Sequence, residues 1–135
     1  MILVTGATGE SGPAIVGEFV RRALPVRALV RDRSTVGADV PPYVEVVEGD
    51  LAKPDTLTEA LEGVDKVLLI STVAPDLVGT QTSFIDSAKK ARARHIVKFS
   101  GMGCWPDAEF RFARMHAEVE DYLERSGLAS AQRWP

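Results

Sequence analysis

Three glycines in Thr5-Gly6-Ala7-Thr8-Gly9-Glu10-Ser11-Gly12 stand between a short apolar run, Ile2 to Val4, and an amphipathic pattern that starts at Pro13. This spacing, Gly-x-x-Gly-x-x-Gly, constrains the fold more than any other feature of the chain. The apolar run reads as a buried strand. Pro13 suits a first helical turn, where its missing N–H is no loss. Ile15, Val16, Phe19, Val20 and Ala23 then fall on one helical face. A strand that becomes a helix within so few residues needs backbone freedom at the turn, which Gly6 supplies, and close approach of helix to strand, which Gly12 permits.

The exchange of short β-rich runs with longer helical patterns continues to the end of the chain. Val26 to Val30 is a second strand, followed by a polar loop over residues 32–42 that ends in two prolines. Val44 to Val47 is a third strand, stopped by Glu48-Gly49-Asp50. Lys53-Pro54-Asp55 opens a short helix through Leu57, Ala60 and Leu61, closed by Gly63. Val67 to Ile70 is a continuously apolar fourth strand, as expected of one buried on both faces. Leu77 to Ala91 is helical, Ile96 to Phe99 a fifth strand, Gly101 to Ala108 a loop, and Phe110 to Arg125 a long amphipathic helix. Ala129 to Pro135 begins a sixth strand, although no residue of Ala129 to Arg133 is β-branched. Parallel strands joined by right-handed crossovers give a doubly wound, mainly parallel α/β sheet with helices on both faces. Its expected order is 3-2-1-4-5, with the sixth strand outside the fifth. The 135 residues fit a single domain.

Composition narrows the functional classes. The chain is 45% hydrophobic and 26% charged, ordinary globular values that exclude wholesale disorder. Sixteen basic against nineteen acidic residues leave a net charge of −3, so the chain is expected to bind neither nucleic acid nor an acidic membrane. A single cysteine, Cys104, allows no intrachain disulfide and points to a reducing compartment. No run reaches the roughly 18–20 apolar residues of a membrane span, and the start lacks the basic leader of a signal peptide. A cytoplasmic location is expected.

The glycine loop also suggests a ligand. Gly9 lets the backbone approach a pyrophosphate, and the helix start after Glu10-Ser11 offers free N–H groups and a partial positive charge to an anion. The bland alternative is a tight turn with no ligand. The loop's place at the head of a β/α repeat favours a dinucleotide held by Gly6, Thr8, Gly9, Glu10, Ser11 and Gly12. About 20 residues on, where an acidic residue would bond the ribose hydroxyls of NAD, the chain has Arg31-Asp32-Arg33. Arg31 suits a 2′-phosphate, so NADP(H) is expected over NAD(H). A solvated turn, or Asp32 reaching the ribose, are the alternatives. Asp50 fits an adenine amino group with Leu51 covering the ring, or else caps the next helix. Ser71, Thr72 and Val73 follow the fourth strand, where a nicotinamide ribose would sit. Trp105 and Phe110 read as a lid or as partner-facing residues. Cys104 with His116 has no local support as a nucleophile and base, and His95 and His116 are too scattered for a metal site.

With these residues in hand, the chain resembles the atypical short-chain dehydrogenase/reductase superfamily. Within it, it resembles the NmrA-like branch, including its quinone oxidoreductase-like members. The resemblance rests on Val4-Thr5-Gly6-Ala7-Thr8-Gly9-x-x-Gly12, Val26 to Arg31, Gly49-Asp50-Leu51, Leu68 to Ser71, His95 to Ser100, and His116-Ala117-Glu118 through Leu128. It implies a Rossmann NAD(P)-binding fold over nearly the whole chain. Members of the superfamily usually run to twice this length, their second half carrying much of the substrate pocket. The chain is therefore expected to be either a fragment or a short form completed by association. Typical members also use a Tyr-x-x-x-Lys pair. Counted back from Ser126-Gly127-Leu128, those positions fall on Phe112, which has no proton to give, and on His116. Tyr122 lies about three turns beyond Phe112. His116 is then a candidate proton donor or ribose ligand, or else a helix-surface histidine. Ser100 matches the position of the superfamily's catalytic serine, or simply ends a strand.

Three functions follow from the resemblance. One is an NAD(P)H-dependent oxidoreductase passing hydride to a quinone or other small electrophile. The second is a dinucleotide-binding sensor without turnover, and the third a truncated cofactor-binding domain with no activity of its own. A homodimer formed through Gly101 to Arg125 is the expected assembly.

Overall fold

The computed structural model describes residues 1–133, with side chains described as far as residue 131. Six strands, β1 (Ile2–Val4), β2 (Val26–Val30), β3 (Val44–Glu48), β4 (Lys66–Leu69), β5 (His95–Phe99) and β6 (Ala129–Arg133), form one sheet. The order is β3-β2-β1-β4-β5-β6, with every neighbouring pair parallel. The expected order holds, sixth strand included. Trp134 and Pro135, which the expected strand also covered, lie outside the described residues.

Helices α1 (Gly12–Arg21), α2 (Thr58–Leu61), α3 (Leu77–Lys90) and α4 (Arg111–Arg125) lie in four of the five crossovers, and the β2–β3 crossover holds only the 3₁₀ turn Arg33–Thr35. Alternation along the strands sorts the core into two faces. Leu3, Leu29, Val67, Leu69 and Ile96 join Leu61, Phe84, Ile85, Val119 and Leu123 beneath α2, α3 and α4. Val4, Val26 and Ile70 pack instead with Ile15, Val16 and Phe19 of α1. Movement toward β3 and movement toward β6 from the central β1 put right-handed crossovers on opposite faces, which accounts for the split.

Several boundaries differ from expectation by a residue, and two differences have a visible cause. The helix expected from Lys53 is a 3₁₀ turn at Pro54–Thr56 followed by the single turn α2. Thr56 explains the break: its hydroxyl bonds back to the Lys53 carbonyl at 2.7 Å and meets the Asp50 N–H at 2.9 Å, tightening the entry. β4 runs Lys66–Leu69, one residue earlier than expected, because Thr5 takes over both backbone groups of Ile70. Strand β6 forms despite its composition. The tight end of α4 at Gly127 (φ +82°) returns the chain beside β5, where Ala129 pairs with His95 and Ala131 with Val97.

Candidate functional site

The carboxyl ends of β1, β2, β3 and β4 surround a groove of about 370 Å³. It lies where the strand order reverses, between β1 and β4, the place where doubly wound sheets take their ligands. Gly6, Thr8 and Gly9 form one wall, Arg31 stands at the end of β2, Asp50 and Leu51 follow β3, and Ser71 and Thr72 follow β4.

The glycine loop is built by contact limits. Gly6 has φ +60°, and a Cβ there would stand 2.8 Å from the Ile70 carbonyl oxygen. A Cβ on Gly12 would come within 2.1 Å of the Gly6 oxygen. Gly12 therefore packs the start of α1 against the Gly6-Ala7 turn and not against the strand itself. Gly9, whose N–H bonds to the Gly6 carbonyl at 3.0 Å, is exposed toward the groove. Ser11 makes no side-chain cap to α1, and the first turn carries no acidic residue. Apart from the exposed Glu10 before the cap, the helix start presents free N–H groups and no acidic residue to an anion.

The second-strand end resolves into two roles. Arg31 lines the groove, whereas Asp32 accepts hydrogen bonds from the N–H and hydroxyl of Ser34, at 2.8 and 2.6 Å. Those bonds hold its carboxyl below the usual range and cap the turn Arg33–Thr35. Asp50 turns its carboxylate back on the Ala52 N–H at 2.9 Å while still lining the groove. After β4, the buried Gln81 donates to the Ser71 hydroxyl at 2.6 Å and fixes its direction.

A second set of polar groups lies between β5 and α4. Lys98 is 0% exposed, Ser100 3% and His116 8%. The alternation that buries Ile96 also turns Lys98 and Ser100 toward α4. Lys98 Nζ stands 2.7 Å from His116 Nδ1 and 3.5 Å from Ser100 Oγ, and the Ser100 hydroxyl donates to the half-buried Glu120. Burial lowers Lys98 to a pKa of about 8 against the pull of Glu120. Burial, and then the charge of Lys98, lowers His116 to about 4.

The fold therefore brings Gly6, Thr8, Gly9, Arg31, Asp50, Leu51, Ser71 and Thr72 to one groove. Gly12 lies beneath the loop, and Glu10, Ser11 and Val73 fall outside the lining. Ser100 and His116 meet each other's neighbours under α4 and are not on the groove wall. His116 is not a helix-surface histidine. Phe112 is 41% exposed at the tyrosine position, and Tyr122 donates to Asp86 on α3, away from both sites. Trp105 and Phe110 line no part of the groove. Sequence reasoning missed Gln81 and Lys98. The β-alternation Ile96-Lys98-Ser100 was the available signal for the lysine. Among the described residues there is no group of three or more His, Cys, Asp or Glu that could hold a metal, and no helix long and apolar enough to cross a membrane.

The NmrA-like family profile matches residues 1–131. Among curated proteins, the chain is 37% identical over 129 residues to the NAD(P)H azoreductase of Xenophilus azovorans, covering 96% of this chain and 45% of that protein. It is 28% identical over 130 residues to quinone oxidoreductase 2 of Escherichia coli, covering 95% and 46%. Among solved structures, the Escherichia coli NADPH-dependent quinone oxidoreductase complexed with NADPH matches with a TM-score of 0.87 at 29% identity, over 98% of this chain and 47% of that one. The triphenylmethane reductase of Citrobacter sp. matches with 0.85 at 25%, over 97% and 47%. The chain spans about half the length of the curated relatives it matches.

Proposed function

The chain belongs to the NmrA-like family, and on that premise we propose that it carries the cofactor site of an NAD(P)H-dependent oxidoreductase that reduces a quinone or other small electrophile. The observation that carries the reading is the groove at the strand-order reversal, walled by the glycine loop and Arg31. Names of relatives agree: an NAD(P)H azoreductase, a quinone oxidoreductase and a triphenylmethane reductase all reduce small conjugated molecules. The residues fit a dinucleotide. Gly9 is exposed on the groove wall with no side chain to fill it, the first turn of α1 carries no acidic residue, and Leu51 offers an apolar cover beside Asp50. When bound, the reduced nicotinamide supplies a hydride; the chain's part is to hold and orient it against the acceptor.

NADP(H) is favoured over NAD(H) in this reading. Arg31 offers a forked donor at the end of β2, while Asp32, the carboxylate that would serve a free ribose 2′-hydroxyl, is engaged by Ser34. Free, buried Cys104 agrees with a reducing compartment such as the cytosol.

A second reading, a dinucleotide sensor without turnover, is favoured by Phe112 at the tyrosine position. Amide NMR titration with NADP⁺ and NAD⁺ tests the cofactor site: shifts in residues 6–12, at lower NADP⁺ than NAD⁺, are expected. NADPH oxidation against a panel of quinones then separates enzyme from sensor.

A further inference from the structure

The buried ammonium of Lys98 faces an imidazole, and the chemistry of that pair is asymmetric. An ammonium has three donors and no acceptor, so at 2.7 Å the Nδ1 atom of His116 must be the acceptor. The proton of the neutral ring then resides on Nε2. The groups facing the pair are Ser100 from β5, Glu120 from α4 and Cys104 from the loop between them. The Cδ2 edge of the ring, beside Nε2, lies toward Gly101, where a Cβ would stand 4.0 Å away. Gly101 follows the carboxyl end of β5, so this edge of the ring lies at the same end of the sheet as the groove.

We propose that Lys98 is a positioning residue that locks His116 as the neutral Nε2–H tautomer, so that His116 delivers a proton at the carboxyl end of β5. Its use in catalysis rests on the oxidoreductase reading above. There the acceptor gains two electrons with the hydride lost by the reduced nicotinamide, which leaves negative charge on an acceptor oxygen. That oxygen takes the Nε2 proton while Lys98 passes an ammonium proton to Nδ1. The Nε2–H and Nζ–H bonds break, an O–H and an Nδ1–H bond form, and the imidazole stays neutral. The charge of Lys98 cancels that of the oxygen. Ser100 and the half-buried Glu120 then give Lys98 a path by which to regain a proton from solvent. This pair supplies what Phe112 cannot.

The test is ¹⁵N spectroscopy of the imidazole nitrogens in the whole chain, from pH about 5 to about 10, with His116→Asn to separate His116 from His95. The expected wild-type result at neutral pH is an unprotonated Nδ1 and a protonated Nε2. A shift of both nitrogens with a midpoint near 8 is expected as Lys98 loses its proton. That midpoint should vanish in Lys98→Met. An Nδ1–H ring, an imidazolium titrating at the ordinary histidine value, or a Lys98→Met spectrum identical to wild type would overturn the proposal. If Lys98→Met does not fold, the wild-type tautomer and midpoint decide alone. With a quinone acceptor, Lys98→Met should lower kcat about tenfold or more and leave the KM for NADPH within about twofold. An unchanged kcat overturns the delivery role. Failure of NADP⁺ to shift residues 6–12 would count against the cofactor site instead, and the nitrogen spectra would still decide the tautomer.

Discussion

The hydroxyl of Thr5 bridges both backbone groups of Ile70, donating to its carbonyl at 2.6 Å and accepting from its N–H at 2.8 Å. The two residues lie just past the ends of β1 and β4, the strands between which the order reverses. Thr5 is 0% exposed, so water cannot replace it. Thr5→Ala or Thr5→Val should cost roughly 1–3 kcal/mol for each Ile70 group left unpaired, and Thr5→Ser much less. Urea denaturation of the three variants measures this; equal stability of Val and Ser would show that the bridge contributes nothing.

The glycines should separate by mechanism. Gly12→Ala places a methyl within 2.1 Å of the Gly6 oxygen and 2.6 Å of the Ala7 backbone, so it should impair folding itself. At Gly9 the nearest atom to a Cβ is 3.3 Å away, and the site is exposed. Gly9→Val should therefore fold with near-native circular dichroism and lose dinucleotide binding. A folded Gly9→Val that still binds would move the phosphates elsewhere.

Replacement of Arg31 by Ala should weaken NADP(H) binding by roughly 1–3 kcal/mol, the range for loss of charged hydrogen bonds. NAD(H), lacking the 2′-phosphate, should lose much less. Calorimetric titration with both cofactors gives the comparison, and equal losses would show that Arg31 does not read the phosphate.

The polar set under α4 also fixes how stability varies with pH. His116 ionises at about 4 in the folded chain and near 6.5 when unfolded. Between those values the unfolded chain binds the extra proton, so stability falls as pH drops from about 6.5 to about 4. Lys98, at about 8 folded and 10.5 unfolded, acts the same way in an alkaline window: stability should rise with pH between those values. Thermal melts across both windows should show the two slopes, with His116→Gln removing the acid slope and Lys98→Met the alkaline one. A flat profile for wild type would mean that neither group is held out of water.

The strand order and the glycine loop were legible because each rests on local pattern. Apolar runs such as Val67-Leu68-Leu69 and the Pro13 helix start carry their own meaning, and crossover handedness leaves little freedom in arrangement. The groove followed, since its walls are the ends of strands already placed. Thr5 was quoted only as part of a motif, because its bond spans 65 residues and no local spacing reports it. Lys98 carries no local sign of burial, because a lysine in a strand ordinarily faces solvent; only the parity it shares with Ile96 and Ser100 says otherwise. The end of β4 shifted for the same reason: the Ile70 backbone is taken by a distant side chain.

Self-association through the region from Gly101 to Arg125 is the remaining expectation that the surface supports. In α4, Met115, Val119 and Leu123 face the sheet, which leaves Phe112 on the outer side. The loop before it carries Met102 at 76% exposure and Phe110 at 78%. A contiguous apolar patch usually marks an interaction surface, and two-fold pairing of like chains is the commonest closed assembly, so these exposed side chains of one segment make it the candidate interface. We predict a homodimer at micromolar concentration by sedimentation equilibrium. Met102→Glu together with Phe110→Glu should return the chain to its 14.6 kDa monomer mass, because charged groups in the interface core would lose their hydration on pairing. Both side chains are exposed in the single chain, so the double variant should keep its melting temperature as a monomer. A wild-type chain that sediments as a clean 14.6 kDa species and binds no apolar dye would rule out this interface.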